Sequence, residues 1–139
     1  MSADTLNAVQ STAIRWEPKA LSVLRIVSGL LLLQHGTAKV LDFPFIEKMA
    51  NVDPTSRGGI AGFLELFGGA LLVLGLFTRP VAFVMSGLMA FAYFLAHAKR
   101  SFFPIINEGE LAVLYCFVFL FLAAAGAGPW SVDAWRRGR

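Results

Sequence analysis

His35, Lys39, Glu65, Tyr93, His97 and Glu110 are side chains that exchange protons or donate hydrogen bonds, and each lies within or at the end of a strongly apolar stretch. An ionisable group at membrane depth costs about 2.5–3.5 kcal/mol by insertion scales, so such groups are normally paired or functional. A histidine and a carboxylate tuned by burial can pass protons, and a lysine or tyrosine can orient an acceptor oxygen. The set reads as a proton-exchanging site, with His35 and Glu65 as the catalytic pair and Lys39, Tyr93, His97 and Glu110 as substrate-binding groups. Simpler roles stand beside this one. Arg25, Lys39 and His97 lie close enough to helix ends to snorkel, Glu110 could be a helix cap, and Glu65 could be only a structural partner of His35 or Lys39.

Helices must bring these residues together. In the stretch 25–39, helical periodicity puts Arg25, Ser28, Gly29, Leu32, His35, Gly36 and Lys39 on one arc of about 120° and leaves Ile26, Val27, Leu30, Leu31 and Leu33 on the apolar remainder. Glu65 shares a stripe with Gly58, Gly62 and Gly69. Gly29, Gly36, Gly62 and Gly69 are therefore read as structural, allowing close backbone approach between neighbouring helices. Ser86, Ala90, Tyr93 and His97 form a stripe on the next apolar segment. On the last, Glu110, Leu114, Phe117, Phe121 and Ala124 are expected to face the same interior. His35 and Glu65 fall at similar depths, roughly 9–10 Å below one membrane surface, whereas Arg25 lies roughly 15 Å lower along its helix and has a separate structural role.

The composition fits a membrane protein. The 139 residues are 57% hydrophobic and only 15% charged, against about 25% charged in a soluble domain, and mean hydropathy is +0.67. The one cysteine, Cys116, sits in an apolar run, which leaves no intrachain disulfide, CxxC pair or zinc site. A net charge of +3, without basic clusters except Arg136, Arg137 and Arg139, excludes a nucleic-acid partner and no metal site is evident.

The expected fold is all-α, an integral membrane four-helix bundle of up-down-up-down topology, with a short interfacial segment between the first two helices. Spans are placed at 20–41, 58–77, 81–98 and 108–127, within one domain at 20–128. Residues 1–19 form an uncleaved interfacial N-terminal arm and 129–139 a basic cytoplasmic tail. Asp53-Pro54 reads as the start of the second helix, Thr78-Arg79-Pro80 as a tight turn, and Asn107 with Glu110 as a capping box. Arg15, Lys19, Arg79, Arg136, Arg137 and Arg139 on one side narrowly outnumber Lys39, Lys48, Arg57, Lys99 and Arg100 on the other, which puts both termini in the cytoplasm.

With Arg25-xxx-Gly29, His35-Gly36-xx-Lys39, Gly62-xx-Glu65-xx-Gly68-Gly69, Gly75-Leu76-xx-Arg79, His97 and Asn107-x-Gly109-Glu110 in this order, the chain resembles the DoxX family of small bacterial membrane proteins over residues 21–133. The resemblance implies a four-helix protein of the bacterial inner membrane. It also implies links to thiosulfate:quinone oxidoreductase, to quinone or catechol stress and to complexes with redox enzymes.

A quinone-linked redox subunit is the leading expectation. His35 and Glu65 would exchange protons, Lys39 and Tyr93 would orient the quinone, and His97 would do either. Without a nucleotide or iron–sulfur motif, electrons would come from a redox partner protein or a bound cofactor. The alternatives are a non-enzymatic membrane anchor or assembly factor, a haem protein with His35 and His97 as axial ligands, and a small transporter. Haem is the less expected cofactor, and Arg25 is the lone inner-half candidate for a transport path. The remaining expected partners are the lipid bilayer and, as a homo-oligomer, further copies of the chain.

Overall fold

The computed structural model describes the backbone of residues 3–138 and the side chains of Thr5, Ser11 and residues 14–138. The extreme ends of the expected N-terminal arm and basic tail, including Arg139, lie outside the described residues. Every regular element among the described residues is helical: α1 (Ala3–Val40), a 3₁₀ turn (Glu47–Met49), α2 (Arg57–Leu74), α3 (Thr78–Ala92) continued by a π-helical turn (Tyr93–His97), α4 (Pro104–Asn107), α5 (Glu110–Ala125) and α6 (Val132–Arg137). Three segments are long and apolar enough to cross a membrane, Ile14–Val40, Arg57–Leu74 and Thr78–His97, while α5 is apolar but shorter. Phe63, Phe67, Phe83, Phe91, Phe117 and Phe121 all point outward, and an apolar exterior of this extent marks a surface that meets a membrane or another protein.

The helix ends depart from the expected signals. The segment before residue 20 is not a separate element, since α1 passes through Pro18 as one helix. The cap of α2 is Ser56, whose hydroxyl accepts from the Gly59 N–H at 3.1 Å, and not Asp53. The Asp53 carboxylate is taken by the N–H and hydroxyl of Thr55, both at 2.8 Å, and these bonds hold it below the usual carboxylate range. α2 ends at Gly75, in the left-handed region at φ 67°, with Gly75 N–H bonded to Leu72 O and Leu76 N–H to Leu71 O. That is a Schellman closure. The turn therefore falls at residues 75–77, and Thr78-Arg79-Pro80 forms the first turn of α3, where a proline needs no donor.

The expected capping box at Asn107 and Glu110 does not form. Glu108 takes a left-handed conformation at φ 59°, Asn107 Oδ1 accepts from the Gly109 N–H at 2.8 Å, and Gly109 occupies the N-cap position of α5 without a side-chain bond. Glu110 is then the first residue of the helix.

α1 packs mainly on α2, and α3 on α5. The α1–α2 seam is tight because its glycines leave no room for a side chain. A Cβ on Gly36 would lie 2.3 Å from the Leu66 nitrogen, one on Gly69 2.7 Å from the Leu33 nitrogen, one on Gly29 2.9 Å from the Val73 nitrogen, and one on Gly62 2.8 Å from Lys39 Cβ. Leu32, Leu72, Met85, Met89, Tyr115, Phe119 and Leu122 form the core. α5 turns Tyr115, Phe119 and Leu122 inward. The stripe expected there, Glu110, Leu114, Phe117, Phe121 and Ala124, is its exposed face.

Candidate functional site

The glycine seam sets α1 and α2 so close that Lys39, in the last turn of α1, reaches the middle of α2. Its ammonium donates to both carboxylate oxygens of Glu65, at 2.8 and 2.7 Å. The Glu65 side chain is 6% exposed and that of Lys39 18%. Such a pair persists in apolar surroundings because each charge compensates the other at short range. Lys39 gains further from the negative end of the α1 dipole.

The pair lies on the wall of a cavity of about 330 Å³ that is also lined by His35, His97, Glu108 and Tyr115. Leu32, Met89, Ala92, Ala96, Leu111 and Ala112 supply the apolar lining, and Met49 of the interhelical segment reaches in from above. The volume falls in the small-molecule range, and an apolar chamber with a few converging polar groups is the usual form of such a site. His35 makes no hydrogen bond to a described residue, so its ring is available to a ligand.

His97 is set by the π-helical turn, in which the Ala98 N–H reaches back to Tyr93 O at 2.9 Å. The additional residue in that turn re-aims the side chains beyond it. His97 Nδ1 lies 3.0 Å from the Asn107 carbonyl. A carbonyl can only accept, so Nδ1 carries the proton, and in the neutral ring Nε2 is the acceptor.

Asn107 itself is fully buried. Its amide nitrogen donates to Ser101 O at 2.9 Å and to the Tyr93 hydroxyl at 3.4 Å, which fixes the loop that carries the carbonyl holding His97. Among the described residues no group of three or more His, Cys, Asp or Glu side chains gathers to hold a metal ion.

The structure thus brings His35, Lys39, Glu65 and His97 together. Tyr93 turns away, its hydroxyl donating to Phe102 O at 3.4 Å and its ring lying against Gly109. Glu110 is exposed on a separate surface groove with Pro104 and Phe117. The acidic group at the cavity mouth is instead Glu108, which also pairs with Arg100 at 3.5 Å and is largely exposed. Glu108 and Tyr115 carry no periodic signal. Tyr115 is, however, the only tyrosine of α5, which is the one trace of it in the sequence.

At the other end of the molecule, Arg25 is fully buried. Its guanidinium donates to Val73 O at 2.7 Å, to Ala127 O at 2.8 Å, and to Leu72 O and Trp130 O. It thereby satisfies carbonyls at the end of α2 and just beyond α5. Arg79 donates to Ala123 O and Ala124 O at the end of α5. Asp133 accepts from the N–H groups of Phe77 and Thr78 at 2.9 and 2.8 Å, capping α3. Partial burial raises the Asp133 pKa, but the bonds from Thr78 and Phe77 and the nearby Arg137 outweigh it and hold the carboxyl below its usual range. This end is a reciprocal capping network in which each charge faces a helix terminus of opposite sign.

The DoxX family model matches residues 20–98, more than half of the chain, from the start of the apolar part of α1 to the end of the π-helical turn. The chain belongs to the DoxX family. The matched region of this DoxX protein contains His35, Lys39, Glu65, Tyr93 and His97, and stops short of Glu108 and Tyr115. An uncharacterized protein of Haemophilus influenzae is 44% identical over 125 residues, covering 86% of this chain and 92% of the relative. No solved structure matches the chain. Family membership together with the apolar helices makes it a multi-pass membrane protein.

Proposed function

We propose that this DoxX protein is a quinone-linked redox subunit of the bacterial inner membrane, with α1, α2, α3 and α5 crossing the bilayer up-down-up-down and both termini in the cytoplasm. The observation that carries the proposal is the Lys39–Glu65 ion pair facing the same apolar-lined cavity as His35 and His97. Interconverting a quinone and its quinol moves two electrons and two protons, so the ring needs donors at its oxygens and groups that can take up and release protons. Lys39 supplies a fixed donor. Glu65 and His35 are the proton-exchanging pair, and the fixed Nδ1–H of His97 leaves its Nε2 to accept a proton from a quinol hydroxyl. Glu108 bridges the cavity and the aqueous side, a route by which those protons leave. A redox partner protein exchanges the electrons.

In lipid nanodiscs, a titrated benzoquinone should bind the unaltered protein about 10- to 100-fold more tightly than the His35→Ala or Glu65→Gln variant, the value of a charge-assisted hydrogen bond or two. Equal binding by all three would sink the proposal.

One feature favours a second reading. Both Glu65 oxygens are already occupied by Lys39, as befits a lock between α1 and α2 in a membrane anchor or assembly factor. On that reading, Glu65→Gln lowers the yield of the assembled redox complex; on the first, the complex assembles and its turnover falls.

A further inference from the structure

A second hollow of about 250 Å³ adjoins the cavity on the lipid-facing side and is lined by Leu31, Gln34, Pro44 and Ile46. His35, Leu111 and Tyr115 line both spaces. These three side chains form a shared wall, with the ion pair on its inner side and exposed apolar surface beyond it. Leu31 and Ile46 are about two-fifths exposed and Leu111 half exposed, at 42%, 39% and 50%.

The hollow sits between two helices that are only loosely packed on each other. α1 is packed closely on α2, and α5 on α3, but α1 and α5 touch only sparsely. No glycine seam closes that side. The wall residues belong to these two helices, with His35 on α1 and Leu111 and Tyr115 on α5.

We infer that the ligand of this site is an amphiphile whose polar ring occupies the cavity while its hydrocarbon tail lies in the α1–α5 hollow and runs out into the bilayer. This rests on the quinone reading of the cavity and narrows it to tailed quinones that enter sideways from the membrane. Rotation of Leu111 and Tyr115 joins the two spaces. A ligand arriving from the bilayer meets the apolar hollow first, then His35, then the ion pair. The tail gains little free energy on leaving lipid for an apolar groove, since both are apolar. The hollow therefore acts on orientation and access: it directs the ring inward and gives the tail room that a closed wall would deny it.

The test uses two probes, a benzoquinone bearing a decyl chain and the same ring bearing a methyl group. Each is titrated against the full-length protein in nanodiscs, with concentrations counted in the membrane phase. Leu31→Trp, or Ile46→Trp in the interhelical segment should the first fail to fold, fills the hollow without touching the cavity. Either variant is expected to weaken the decyl probe about tenfold or more, a steric loss of at least 1.4 kcal/mol, and to leave the methyl probe within about twofold. Retained methyl-probe binding also reports an intact cavity. Loss of both probes together, or of neither, overturns the inference. If neither quinone binds the unaltered protein, the quinone reading falls, and a phenol carrying the same decyl chain decides the hollow separately. Its binding lost in the filled variant supports tail docking; equal binding, or none to either protein, overturns it.

Discussion

Replacing Lys39 by Met leaves the Glu65 carboxylate, 6% exposed, without the ammonium that satisfies both of its oxygens. Breaking a buried pair from one side typically costs about 3–5 kcal/mol, because the remaining charge stays desolvated. The reverse change, Glu65→Gln, should cost about 1 kcal/mol less, since the freed Lys39 is more exposed and lies at the favourable end of the α1 dipole. The double variant Lys39→Met/Glu65→Gln removes both charges from the apolar wall and should return to within about 1–2 kcal/mol of the unaltered protein, giving a coupling of about 3 kcal/mol or more between the sites. Unfolding in mixed dodecylmaltoside and dodecyl sulfate micelles, followed by loss of helical circular dichroism, measures all four corners of the cycle. Additive single effects would mean that the two side chains do not share one desolvated ion pair. Quinone binding gives an independent contrast: the double variant should be folded and yet fail to bind.

Arg25→Lys should destabilise by about 2–4 kcal/mol, since an ammonium cannot fork to carbonyls on two sides and leaves buried acceptors unpaired; quinone affinity in the folded fraction, measured by titration, should not change. Gly36→Ala should cost about 1–3 kcal/mol through the Leu66 backbone, whereas Gly87→Ala, with nothing within 4 Å, should be neutral or slightly stabilising; thermal unfolding of the two side by side checks this. Because the Asp133 pKa is lowered on folding, its contribution is complete above the unfolded value of about 4 and is lost as pH falls through the lower folded value. The acid loss of thermal stability should therefore be smaller in Asp133→Asn.

The part of the site on α1 and α2 was legible because polar exceptions on an otherwise apolar helix report their own direction. His35, Lys39 and Glu65 could be placed by rotation alone, and the glycines between them explain why the two helices come within reach. Arg25 was separable by depth. Beyond Glu110 at its start, α5 offered no such exception except Tyr115: the rest of its surface is apolar all round, so no periodicity distinguishes the face toward the core from the face toward lipid. The left-handed Glu108 starts that helix two residues later than expected and exchanges the places of Glu108 and Glu110 at the cavity mouth. In α3, the π-helical turn breaks the regular spacing on which the pairing of Tyr93 with His97 depended. Backbone irregularities of this kind are decided by tertiary contacts, here the burial of Asn107 and its bond to Tyr93, and local spacing does not encode them. The Asp133 cap on α3 is equally remote, joining residues 55 positions apart.

In the proposed site a quinone ring sits between His35, His97 and the Lys39–Glu65 pair. Photolabelling with an azidoquinone in nanodiscs, followed by peptide mass spectrometry, tests it directly. Label is expected on residues lining the cavity in the segments 32–39, 89–97 and 108–115, abolished by excess unlabelled quinone and absent in the Lys39→Met/Glu65→Gln variant. Label spread over the outward phenylalanines, insensitive to competitor and unchanged in the variant, would contradict it.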